Sequence, residues 1–305
     1  EQRGQREQRV RLYGLGNLTG GNTTDTFTGS GGSITGALTD AVGATTLNST
    51  LSVGSASLTG AVTLGSNSAI TTSGGGNILF GSTVNGAGNT LGLTAGAGNI
   101  TFTGAVGGGG ALGAVTINSA AGVTAAAITA ASLTQSAGTG TTTLNGVVTS
   151  TGAVSFTTST LTNNSTINGT SLSVTATTPT LGTVNVGGGA VTLNAGGTAI
   201  NIGTNIGALT AGSLTVNAGA ISGTNAAALG TLTLNGSTVG VSVGAIGSLN
   251  GTESGGLVTD VFNVTATSLS SIGSIVATTG GVAHNVTIAA PGSTITVGGG
   301  SPSID

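Results

Sequence analysis

The chain contains no cysteine, which excludes a disulfide framework and any thiolate metal site. It contains no lysine either, because the four basic residues are Arg3, Arg6, Arg9 and Arg11. From Leu12 to Asp305 there is no fixed positive charge. No groove along the body can therefore neutralise a phosphate backbone, and nucleic acid is not an expected partner. Charged residues make up only 4% of the chain, against about 25% in ordinary globular domains. Aromatics are 2%, too few for the ring platforms on which carbohydrate sites are usually built. Proline occurs 3 times without a Gly-X-Y period, which excludes a collagen-like helix. No apolar run approaches the roughly 18 residues of a transmembrane helix, and the first residues do not read as a secretory leader. A chain that begins Glu-Gln-Arg without Met reads as a mature or excised form.

What is abundant is glycine, 60 of 305 residues, with serine and threonine around it. Such composition is often disordered. Here, however, hydrophobic residues reach 37%, and they alternate with Thr and Ser, which a linker has no reason to do. A strand signature returns between Ala111 and Gly236: Val115-Thr-Ile117-Asn118, Leu133-Thr-Gln135-Ser136, Val154-Ser-Phe156-Thr157, Leu172-Ser-Val174-Thr175, Val191-Thr-Leu193-Asn194, Leu214-Thr-Val216-Asn217 and Leu232-Thr-Leu234-Asn235. Period-two alternation implies a strand with one buried face. The first apolar residues recur after 18, 21, 18, 19, 23 and 18 positions, so each strand is expected above a copy of itself in a coiled stack. The fold class is all-β, a parallel β-helix (β-solenoid) with about 20 residues per coil. At about 4.8 Å per coil, roughly 14 coils would make a rod about 70 Å long. Gln135 is the one break in the second apolar column. The polar column that follows each strand is expected to form side-chain ladders along the axis, Asn above Asn.

One domain is read, a single β-solenoid over residues 14–305, preceded by an arginine-rich N-terminal arm over residues 1–13. Residues 14–75 hold strand tokens such as Ala37-Leu-Thr and Ala61-Val62-Thr-Leu64, without a period from which turns can be drawn. The period sharpens at Gly76-Asn-Ile78-Leu-Phe80, echoed by Gly98-Asn-Ile100-Thr-Phe102, while Leu91-Gly-Leu93 is echoed by Val115-Thr-Ile117. Each coil thus carries at least two strands, with Gly-rich corners such as Gly107 to Gly110 supplying conformations closed to other residues. The alanine-rich stretch Ala121 to Ala131 is the weakest strand region, the pattern loosens after Gly236, and Gly298 to Asp305 reads as a loop.

Carbohydrate-active β-helix enzymes need carboxylates converging on one face, usually with a basic partner. Between Asp40 and Glu253 the chain has no acid, and Glu253 and Asp260 read as solvated loop charges. His284 is the only histidine and reads as a satisfied or exposed side chain rather than a base or ligand. The Gly-Gly-x-Gly-x-Asp repeats of calcium-binding solenoids do not occur. The triplets at Asn99, Asn163, Asn250 and Asn285 are weak glycosylation hints in so Ser/Thr-rich a chain. The expectation is no catalytic residue, no cofactor and no metal site.

The runs Gly98 to Gly107, Leu112 to Ala120 and Leu133 to Gly146 resemble repeats of the filamentous-haemagglutinin-like and related β-strand-repeat bacterial surface exoproteins. The resemblance covers Ala61 to Gly236. It implies an exported right-handed parallel β-helix serving as an adhesin or surface fibre, and brings no catalytic residues. The expected function is that of a non-enzymatic extracellular structural protein, a self-assembling subunit of a cell-surface fibre joined end to end. Two alternatives are carried: the stalk or binding region of a bacterial surface adhesin, with cell-surface or matrix components as partners, and a carbohydrate-active β-helix enzyme. For the fibre, the subunit contact is assigned to Arg9, Val10, Arg11, Leu12 and Tyr13, an alternating strand with its arginines near Glu253, Asp260 or Asp305 of the next copy.

Overall fold

A computed structural model describes residues 13–28, 33–253, 259–277, 283–290 and 296–297. It is all-β, without helix, with parallel strands stacked as a β-solenoid of about 13 turns roughly 19 residues apart. One turn runs through Ser68–Thr72, Ile78–Phe80 and Val84–Asn85 before the next begins at Leu91–Thr94. These three strands belong to three faces. The first face stacks the long strands, among them Thr50–Val53, Ser68–Thr72, Leu91–Thr94 and Leu112–Ser119. The second runs unbroken from Leu18–Thr19 to Thr178–Thr180. The third passes from Asp25–Phe27 through Thr45–Leu47 and Val62–Leu64 to Val84–Asn85, then through single-residue bridges at Val106 to Ile128.

The repeated signature is the first face. Val115, Leu133, Val154, Leu172, Val191, Leu214 and Leu232 are register partners in that order. All are buried, because every second side chain of a strand points the same way and only the apolar ones can line a dry interior. Gln135 stands in the neighbouring inward column between Ile117 and Phe156. It is 1% exposed. The side-chain hydroxyl of Thr142, reaching in from the second face, donates to its Oε1 at 2.8 Å, while its Nε2 is buried without a hydrogen-bond partner, so the amide is only half satisfied. The other gap in that column is Gly251, between Leu234 and Ile275. The space is filled by the ring of Phe262, against which a Cβ on Gly251 would collide. Truncating the ring removes the plug that Gly251 depends on. Phe262→Ala is therefore expected to cost about 3–5 kcal/mol in urea unfolding.

The echoes between residues 76 and 117 are also strand registers. Ile78 and Phe80 lie beside Ile100 and Phe102, and the two rings stack at 5.1 Å between centroids with planes 4° apart. The outer polar column carries the expected ladder: Asn217 donates to Asn194 and Asn235 to Asn217, each at 2.6 Å.

Where the sequence period blurs, the stacking does not. Turns are present in residues 14–75, with Leu38 beside Leu18 and Ala56 and Thr45 beside Asp25 and Val62. The alanine-rich stretch is two strands, Val123–Ala125 and the start of Ile128–Gln135. After Gly236 the described residues run on as long strands, Thr238–Glu253 and Thr259–Ala277, paired in parallel with one register shift between Leu249 and Gly251. Their corners are slips in alternation: residues 243 and 244 are both buried, and 247 and 248 both half-exposed. That slip erases the loop signal by which a turn is recognised in sequence. The tail 298–305 lies outside the described residues.

Candidate interaction site at the ends of the stack

The registers order the turns along the rod and place the candidate contact residues. Arg9, Val10, Arg11 and Leu12 lie outside the described residues. Tyr13 opens the strand Tyr13–Leu15, which pairs with Ser33 and Ile34 in the first turn, so the arm enters the body at one end of the stack. Glu253 closes Thr238–Glu253, and Asp260 lies in Thr259–Ala277, within the last turns. Asp305 is outside the described residues. Tyr13 and the pair Glu253 and Asp260 therefore belong to opposite ends of the stack. Asp260 is also the register partner of His284, a neighbour that separation along the chain concealed.

Among the described residues, the outermost strands at both ends pair on one side only. Among the described residues, Leu18–Thr19 pairs only with Ala37–Asp40, and Asp25–Phe27 only with Thr45–Leu47. At the far end, again among the described residues, Ala283–Ala289 and Thr296–Val297 pair only with Thr259–Ala277. An edge of this kind presents backbone N–H and C=O groups to any further strand. The sides of the rod differ. Among the described residues, Val42 and Val147 are the large hydrophobics left exposed, and the outer rows are hydroxyl and amide ladders such as Thr160 with Thr178 at 2.9 Å.

Other surfaces are spent on structure. A shallow depression of about 370 Å³ lies between residues 203–209 and 224–227. Its one amide, Asn225, gives its Nδ2 hydrogens to the carbonyls of Ile202, Ile206 and Gly207 at 3.1–3.3 Å. That binding capacity is consumed in holding the segment 202–207, which follows the strand Ile200–Asn201. No group of three or more His, Cys, Asp or Glu side chains that could hold a metal occurs among the described residues, and no helix there is long and apolar enough to cross a membrane.

One arrangement at the N-terminal end was not visible in the sequence. Asp40 ends the second-face strand of one turn, while Asp25 begins the third-face strand of the turn before. The coil brings their carboxylates together beside Gly20. Neither acid has a motif around it, and the only sequence signal is their position, as the last acids before a long acid-free body. Comparison with known proteins returns no match: no family model, no curated protein and no solved structure aligns with this chain.

Proposed function

We propose that the chain is a non-enzymatic, exported structural protein whose subunits join end to end into a surface filament. The observation that carries this reading is that, among the described residues, the outermost strands at each end of a parallel stack pair on one side only. The lower edge of one copy is complementary to the upper edge of another. A head-to-tail contact of this kind does not close on itself and generates an open fibre. The sides, clad in Thr and Asn ladders, favour growth along the axis over lateral clumping. Export accords with a cysteine-free chain of few charges and with the likeness of its repeats to bacterial surface exoproteins.

The arm supplies the joint. The alternating apolar and basic residues Arg9-Val10-Arg11-Leu12 precede Tyr13, which enters the first turn, and their arginines are assigned by this reading to the acids Glu253, Asp260 or Asp305 of the next copy. Removing residues 1–12, which leaves the paired Tyr13 in place, tests this. Electron microscopy is expected to show filaments for the full chain and short single rods for the truncated one, with the same β-type circular dichroism. A full chain that stays monomeric at high concentration contradicts the reading, as does a truncated chain that polymerises equally well.

A further inference from the structure

We propose that Asp25 and Asp40 form a binding site for a divalent cation of the calcium type, clamping the first two turns of the solenoid. This goes beyond the filament reading and is independent of it.

Asp40 is 0% exposed. The hydroxyl of Thr45, itself buried, donates to its Oδ2 at 2.6 Å. Its Oδ1 is buried and has no hydrogen-bond partner. Asp25 is the register partner of Thr45 and is half-buried; the N–H of Gly21 donates to its Oδ2 at 2.7 Å. Each carboxylate is thus oriented by one donor. The point at which a side chain on Gly20 would begin lies 2.7 Å from Asp25 Oδ2 and 2.9 Å from Asp40 Oδ1. Two acidic oxygens therefore converge on one spot, and glycine keeps it open.

A buried carboxylate needs a compensating charge, because desolvation without one is costly and a second carboxylate beside it adds repulsion. No Lys or Arg exists anywhere among the described residues, so the chain's described part supplies no counter-ion. A bound cation does. The donors are all oxygen, which selects a hard ion over zinc or copper. Calcium, with its flexible coordination at 2.3–2.6 Å, suits one buried and one half-buried carboxylate completed by carbonyls and water. Magnesium demands a near-ideal octahedron and gives up water reluctantly. Two charged ligands place the affinity at about 10⁻⁴–10⁻³ M, the range of extracellular calcium modules.

The test is calorimetric titration of the full chain with calcium chloride, and with magnesium chloride as a comparison. One saturable calcium site per chain is expected, with calcium raising the melting temperature. Asp25→Asn and Asp40→Asn should each weaken binding about tenfold or more, since affinity follows ligand charge. Asp40→Asn should also melt higher than the wild type in chelator, because it removes an uncompensated buried charge, and should lose that advantage in calcium. If Asp40→Asn fails to fold by circular dichroism, Asp25→Asn carries the test, its side chain being partly in solvent. Absence of saturable binding up to about 10 mM, well above the expected range, overturns the proposal. So does calcium binding left intact in the folded variants, which would place it at other acids, or magnesium binding as tight as calcium.

Discussion

Val191→Asp is expected to unfold the middle of the rod, with a loss above about 4 kcal/mol by thermal or urea denaturation. Val191 is 0% exposed and sits in register between Leu172 and Leu214. The aspartate would be held between hydrophobic side chains above and below, and the surrounding turns contain no basic residue to pair with it. A solenoid also cannot dilute the damage, because each turn is completed only by its two neighbours. Leu214→Asp, one turn on, should behave the same way. Its half-buried neighbour Thr192 stands in the outward row of the same strand as Val191, and Thr192→Asp should cost no more than about 1 kcal/mol. Equal losses at 191 and 192 would show that the inward and outward rows are misassigned.

Gly76→Ala is expected to be nearly as damaging, although it adds one methyl group. Gly76 stands in a file of corner glycines in which each new Cβ would overlap the carbonyl oxygen of the previous turn: Gly36 against Gly16, Gly76 against Gly54, and Gly98 against Gly76. The obstacle is backbone, held by coil-to-coil hydrogen bonds such as Gly54 N–H to the Gly36 carbonyl at 2.7 Å. It cannot swing aside as a side chain would. The turns must separate at that corner, and overpacking of this severity should cost about 3 kcal/mol or more. Gly197→Ala is the control. A Cβ there meets nothing within 4 Å, and the change should stay within about 0.5 kcal/mol, as surface substitutions do. Similar losses at the two positions, measured by urea unfolding, would show that the glycine file is not what brings the turns together.

The first face was legible because its strands are long enough to show alternation and carry the same residue types in each turn, from Val115 to Leu232. The third face was not, since strands such as Val84–Asn85 and Leu209–Thr210 are too short to have a period. The break at Gln135 was visible in sequence, but its remedy was not: Thr142 belongs to another face. The same holds for Gly251 and the ring of Phe262. Both contacts cross the interior from one face to another within a single turn, and which side chains meet there depends on how many residues each corner consumes. The arm's role is untouched by the fold, for residues 9–12 lie outside the described part. The Asp25–Asp40 convergence escaped notice for a different reason. It exists only once two successive turns are superposed.

The parallel registers set the direction of the backbone hydrogen bonds: they run along the stack. Tension applied between the two ends of the rod therefore loads the bonds joining one turn to the next, and the weakest joint yields first. Each turn peeled away frees roughly 19 residues, about 60 Å of extended chain, where it had contributed about 4.8 Å of rod. A pulled rod lengthens in steps more than tenfold longer than the turns that release them. Side-on load meets covalent chain instead. The molecule is thus compliant along its axis and stiff across it, an extensible tether whose number of steps is the number of its turns.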